Sequence, residues 1–214
     1  MKTINYFDLG LHKNAGEIDI MINSIIPLFK DIQFNIFGIE AHPEYTKNLK
    51  EKYKNYNNVI IENFAISNKT DKIKLYIEPR TGLGNSIFST KNNVNPEKFL
   101  DVESTTFSDY LINNNINLDS SSCNILKFNI EGAELYLWED IVKSNLTNKI
   151  DIICGSGIRD INKVFELKNE KTLNYYNQLL IDINFEKKFV YFCDCNPNKS
   201  INEMKDNLNK ILIS

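Results

Sequence analysis

The sequence predicts an α/β fold, with a mostly parallel sheet and helices on both faces. Three observations predict it. Helical and strand patterns alternate along the chain. Three apolar strands end in a carboxylate or glycine, at Asp8, Glu40 and Glu131. No internal repeat or linker divides the 214 residues, so 1–214 is expected to form one domain, long enough to bury a core without staples.

Residues 4–9, Ile-Asn-Tyr-Phe-Asp-Leu, read as the first strand. Ile18, Met21, Ile22, Ile25, Ile26 and Phe29 recur at helical spacing and predict a helix over 17–30. A second strand, Phe34 to Glu40, leads to Pro43, which suits the first turn of a helix running to about 55. A third, short strand follows at 59–62. The stretch 72–106 breaks the rhythm, with a strand at 72–77, a loop from Glu78 to Asn95, a strand near 102–106 and a short helix from 107. A loop of that length inside a compact domain is more often functional than accidental, and 78–95 is a candidate substrate loop. The strand 124–130 enters a helix at 133–143. A strand at 149–154, the turn Gly155-Ser156-Gly157, a helix near 161–181, a strand pair within 183–195 and a helix from about 200 complete the chain.

Composition narrows the function. A net charge of −3 argues against a nucleic-acid partner, which usually meets a basic face. No apolar run approaches a membrane span, and the N-terminus reaches Asp8 too early for a signal peptide. The expectation is a cytoplasmic chain whose Cys123, Cys154, Cys193 and Cys195 are structural thiols. Cys193 and Cys195 form a C-x-C pair, with no second pair to make a zinc site. The basic residues are nearly all lysine, and Arg80 and Arg159 are the only arginines.

The chemistry gathers at strand ends, where open α/β sheets bind ligands. Phe7-Asp8-Leu9-Gly10 closes the first strand and Gly16 opens the next helix, a glycine-bearing turn that lets backbone approach a nucleotide-like cofactor. The G-x-G-x-x-G of dinucleotide sites is absent. An acid followed two residues later by glycine is instead the pattern of S-adenosylmethionine sites. Glu40, ending the second strand before Ala41, either accepts the two hydroxyls of a ribose or caps the helix starting near Pro43. Asn63-Phe64-Ala65-Ile66-Ser67 would flank an adenine. In Leu126-Lys127-Phe128-Asn129-Ile130-Glu131-Gly132-Ala133-Glu134, Lys127, Asn129 and Glu131 alternate and are expected to share one face, while Glu134 also suits a helix start.

Asp8-Leu9-Gly10, Ile39-Glu40, Ala65-Ile66-Ser67, the stretch from Ser104 to Leu111 and the block 126–134 occur in the order seen in FkbM-type methyltransferases, which this chain resembles over about residues 4–143. The resemblance implies a class I, Rossmann-like methyltransferase fold with a seven-stranded sheet, dependent on S-adenosylmethionine. It implies O-methylation of a hydroxyl on a sugar, glycoconjugate or similar small molecule. By position, Asp8, Gly10, Leu11, His12 and Gly16 would serve the methionine end, Glu40 and Ala41 the ribose, and Asn63, Phe64 and Ala65 the adenine. Asn129 and Glu131 would sit near the transferred methyl. Two departures accompany it: Asn129 stands where many relatives have Asp, and the loop Gly10 to Gly16 is longer than usual.

Methyl transfer from a sulfonium is an in-line displacement that depends chiefly on positioning, and a hydroxyl acceptor gains from a base. Glu131 is the candidate base, and no metal is expected. Arg80, Asn85, Ser86, Glu134 and Arg159 are candidate acceptor contacts, the arginines for an anionic group such as phosphate or uronate. The competing expectations are a nucleic-acid methyltransferase and a non-catalytic binding module that keeps the fold.

Overall fold

A computed structural model describes residues 3–119, 122–155 and 161–213. The central sheet is built from β1 (Thr3–Leu9), β2 (Gln33–Ile39), β3 (Val59–Glu62), β7 (Ser122–Phe128) and β8 (Ile152–Gly155). All its pairings are parallel, in the order β3-β2-β1-β7-β8. The chain leaves β1 in one direction to β2 and β3, then returns to its other side with β7. The sheet thus has a switch point between β1 and β7, where the ends of the strands part to leave a crevice.

Burial follows the pleat. Phe7, Leu9, Phe37, Ile39, Leu126 and Phe128 join one core cluster with α3 (Phe107–Asn113), α4 (Glu134–Lys143) and α5 (Glu170–Asp182). Ile4, Tyr6, Phe34, Ile36, Cys123 and Ile125 join the cluster on the opposite face. That face is covered by α1 (Gly16–Ile20), α2 (Pro43–Tyr53) and α7 (Pro197–Ile213). A parallel sheet covered on both sides explains why its strands read as near-continuous apolar runs.

A second sheet of three strands stands apart: β4 (Ala65–Ile66), β6 (Asn95–Thr105) and β5 (Asp71–Ile77), with β6 in the middle. β5 and β6 are antiparallel, and their register slips between Tyr76 and Ile77. The segment 78–94 joins these strands, so its ends are anchored.

Several expectations change. In place of seven strands the central sheet has five among the described residues. The expected strand pair within 183–195 is instead a short helix α6 (Phe185–Lys188), begun at left-handed Asn184, and an extended segment. There Phe189 makes a single bridge to Ile153, and the Val190 N–H donates to the Ile153 carbonyl. The helix expected at 17–30 is α only to Ile20. It widens to a π turn over Met21–Ile25 and tightens to a 3₁₀ turn at Ile26–Leu28. Pro27 has no N–H to continue the ladder and its ring crowds the preceding turn. The helix near 161–181 divides into 3₁₀ turns at Ile161–Lys163 and Phe165–Leu167 before α5. The Ser156-Gly157 turn lies outside the described residues. Cys123 and Cys154 are buried, in keeping with structural thiols, but Cys193 and Cys195 are joined as a disulfide. No helix among the described residues is long and apolar enough to cross a membrane.

Candidate active site

The crevice at the switch point forms a cleft of about 590 Å³, counted to its open mouth. Gly10, His12, Glu40, Ala41, Phe64, Ala65, Asn129 and Glu131 line it, so most of the residues expected to meet a cofactor come together. Tyr45, Gly82, Leu83, Asn85, Ser86 and Ile87 complete the wall.

Two backbone contacts set its floor. The Gly10 N–H donates to the Ile39 carbonyl at 2.8 Å, and the Asn129 N–H donates to the Leu9 carbonyl at 2.8 Å. The chain at Gly10 has φ +87°, and a Cβ there would lie 2.1 Å from the Asn129 carbonyl oxygen. Only glycine fits both the conformation and the gap.

Glu40 is buried and its carboxylate faces two loops at once. Oε2 accepts the His12 N–H at 2.7 Å and Oε1 accepts the His42 N–H at 2.7 Å. Burial raises its pKa, while those two N–H groups oppose the rise. Each oxygen has acceptor capacity left beyond one N–H. The helix-cap reading is thus realised in part, without removing Glu40 from the cleft. Asn63 does not line it. Its Nδ2 donates to the Glu40 and Ala41 carbonyls and to Thr46 Oγ1, locking the strand end beneath.

Tyr45 joins the histidines. His42 stacks on its ring at a 4.0 Å centroid distance, and His12 meets it edge-on at 5.4 Å. His12 Nε2 and His42 Nδ1 are enclosed without a partner in the protein. Burial lowers the pKa of both rings.

Asp8 is not in the cleft but behind it. β1 and β7 place Asp8 and Lys127 as register partners, and Lys127 Nζ lies 2.8 Å from Asp8 Oδ1 and 3.7 Å from Glu17. Tyr6 donates to Asp8 Oδ2 at 3.1 Å. Burial pushes the Asp8 carboxyl up to about 6, with Lys127 opposing and Glu17 adding. For Lys127 burial works against the charge, but Asp8 and Glu17 outweigh it and hold its pKa above the usual lysine range. Leu11 is buried in the core, and Gly16 packs against Asp194.

β7 ends at Phe128, so Lys127, Asn129 and Glu131 do not share a pleated face as expected; Glu131 lies past the strand with φ +57°. The turn holds itself. Glu134 is fully buried and accepts the Ile130 N–H at 3.1 Å and the Gly132 N–H at 2.7 Å. Its carboxylate closes this turn and does not line the cleft, a correction to its expected place among the acceptor contacts.

The loop 78–94 is a built structure. The Glu78 carboxylate accepts N–H groups from Arg80, Thr81 and Gly82 and the Thr81 hydroxyl. The Thr81 hydroxyl above all, against burial and with those N–H groups, draws its pKa down to about 2. Asn85 and Ser86 line the cleft, but Asn85 Oδ1 accepts the Glu78 N–H and Ser86 Oγ donates to the Glu131 carbonyl at 2.7 Å. Arg80 is exposed, 3.5 Å from Glu78, and lines an adjoining cleft. Arg159 lies outside the described residues.

Lys91 fastens the loop. Its side chain is 0 % exposed and Nζ donates to Glu131 Oε2 at 2.7 Å, Asn93 Oδ1 at 2.7 Å and the Gly84 carbonyl at 3.0 Å. Neither Lys91 nor Tyr45 stands out in the sequence, since one is among many lysines and the other is one of ten tyrosines, in the first turn of a helix. Glu78 has a readable signal, an acid just ahead of Pro-Arg-Thr-Gly.

The Glu131 carboxylate is paired with Lys91 and the Glu134 carboxylate with the amides of the turn. Among the described residues the three donor groups that converge are Glu17, Cys193 and Asp194, and Cys193 is in the disulfide.

Residues 8–152 match the methyltransferase FkbM domain family. The fold is similar to the crystal structure of Methyltransferase FkbM from Methylobacillus flagellatus KT, with a TM-score of 0.50 at 13% identity. That likeness covers 85% of this chain and 38% of that one, so the chain spans well under half of that relative's length. No curated protein matches the chain.

Proposed function

The chain belongs to the methyltransferase FkbM family, and on that footing we propose that it transfers a methyl group from S-adenosylmethionine to a hydroxyl of a sugar, glycoconjugate or similar small acceptor. One observation carries the reading: the Glu40 carboxylate, held by two loop N–H groups, lines a crevice at the sheet's switch point beside the Gly10–Asn129 contact. The cleft fits such a cofactor on its own terms. It has a backbone cradle that a Cβ would fill, a buried carboxylate with spare lone pairs, an apolar flank in Phe64, Ala65 and Ile66, and enclosed histidine nitrogens.

Bound there, the sulfonium supplies an electrophilic methyl group. Glu40 would hold the ribose hydroxyls, Phe64 and Ala65 the adenine face, and Gly10, His12 and Asn129 the methionine end. Leu83 and Ile87, carried by the loop, give the cleft an apolar edge. Asn129 orients but cannot take a proton. Glu131 is the base in this reading, its Oε2 fixed by Lys91 so that the carboxylate is presented in one geometry. No metal is required. An anionic group on the acceptor would meet Arg80, which lines the adjoining cleft.

Titrating the chain calorimetrically with S-adenosylhomocysteine tests this. Binding is expected, with Glu40→Ala weakening it at least tenfold. NAD should give no heat. Wild-type affinity in Glu40→Ala would remove the role of Glu40, and silence with S-adenosylhomocysteine would remove the methyltransferase reading.

A further inference from the structure

A second cleft, of about 1050 Å³ counted to its open mouth, is lined by Phe128, Asn129 and Glu131 at the turn after β7. It meets the first at Leu83, Asn129 and Glu131, which line both. We propose that this second cleft receives the acceptor, as a hydroxyl-bearing ring laid against Phe189 and Tyr191. The proposal rests on the methyltransferase reading and extends it.

The reaction's geometry is the first argument. Displacement at a sulfonium methyl is in-line: the new C–O bond forms on the side of the carbon opposite the breaking C–S bond. The electron pair of that bond leaves with the sulfur, which becomes a neutral thioether, and the hydroxyl proton passes to a base. Donor and acceptor therefore need two chambers facing each other across one point, with a base there. Two clefts that share Asn129 and Glu131 supply that arrangement.

The chemistry of the wall is the second. Phe189 is 38% exposed, with one face covered by Phe185 at a 5.2 Å centroid distance. Lys199 lies over the Tyr191 ring, 4.2 Å from its centroid. Both rings belong to the extended segment that Val190 pins to β8, so they are held in place before any ligand arrives. Aromatic faces backed on one side, with Lys163 also lining the cleft, suit a rigid ring whose C–H edge is apolar and whose rim is hydroxylated. The third argument is position in the chain. The residues assigned to the cofactor fall inside the 8–152 family match, whereas Lys163, Phe189 and Tyr191 lie beyond it. An acceptor wall particular to this chain belongs there.

Saturation-transfer NMR on the full chain with S-adenosylhomocysteine present tests this, with methyl β-glucopyranoside and its uronate as probes. Ring C–H protons of at least one probe should be saturated. Phe189→Leu and Tyr191→Leu, which keep apolar bulk and remove the flat face, should each cut that signal at least fivefold. Calorimetric affinity for S-adenosylhomocysteine should stay within twofold, and circular dichroism should match wild type. No saturation of either probe while S-adenosylhomocysteine binds normally, or equal saturation in both variants, overturns the proposal and leaves the cofactor site intact. If S-adenosylhomocysteine itself fails to bind, both readings fall. Should one variant misfold, the other decides.

Discussion

At the level of single residues, Lys127 interrupts an apolar strand, and the reason is Asp8, its register partner 119 positions earlier in the chain. The anomaly was legible; the partner was not, because β1 and β7 become neighbours only when the sheet is assembled. Lys127→Met would leave Asp8 buried without its ammonium, and breaking such a pair costs about 3–5 kcal/mol. Replacing both, as Asp8→Leu with Lys127→Met, should restore most of that loss in urea unfolding, and a double variant as weak as the single would contradict the pairing. The sign for Asp8 follows from its direction. With a folded-state pKa raised to about 6, its contribution is full below the ordinary carboxylate range and is lost as pH rises through 6. Stability of Lys127→Met should therefore fall between pH 4 and 7 more steeply than that of wild type. Lys91 is the opposite case: a wholly buried lysine at the candidate site that nothing in a lysine-rich sequence could single out.

Among elements, the segment 78–94 is ordered by one carboxylate. Glu78 has a depressed pKa, so what it contributes is present above the ordinary carboxylate range and is lost as pH falls from there through about 2. Protection of the amides in 80–86, taken relative to their intrinsic exchange rates, should fall in Glu78→Ala at neutral pH and in wild type near pH 3, with the central sheet protected in both. Protection unchanged at 80–86 would show that Lys91 alone holds the loop. The strands of the central sheet were readable because burial on both faces leaves apolar runs, and the loop because it lacks periodicity. The stretch 183–195 misled. Phe189-Val190-Tyr191-Phe192 has the aromatic and β-branched content of a strand, yet pairing with β8 stops after Phe189 and Val190. Whether such a run finds a partner strand is decided by the rest of the fold. Likewise β6 runs eleven residues, Asn95–Thr105, though Pro96, Glu97 and Lys98 hid its first half.

For the whole molecule, α7 closes the face opposite α4, with Met204 and Leu208 fully buried against the Met21–Ile25 turn. Ending the chain at residue 196 should uncover Ile18, Met21 and Ile25 and abolish cooperative thermal unfolding by circular dichroism. A truncated chain melting sharply at the wild-type midpoint would mean that α7 is dispensable. The expectation of one domain rests on that outcome. Trp138, the one tryptophan in the sequence, is wholly buried, edge-on to Phe128 at a 4.8 Å centroid distance, with its N–H donated to the Tyr176 hydroxyl. Phe128 immediately precedes Asn129 and itself lines the second cleft. The molecule thus carries its own lamp under the floor of the candidate site: with no dye attached, emission excited at wavelengths too long for the ten tyrosines comes from a single, buried indole one side chain away from the second cleft.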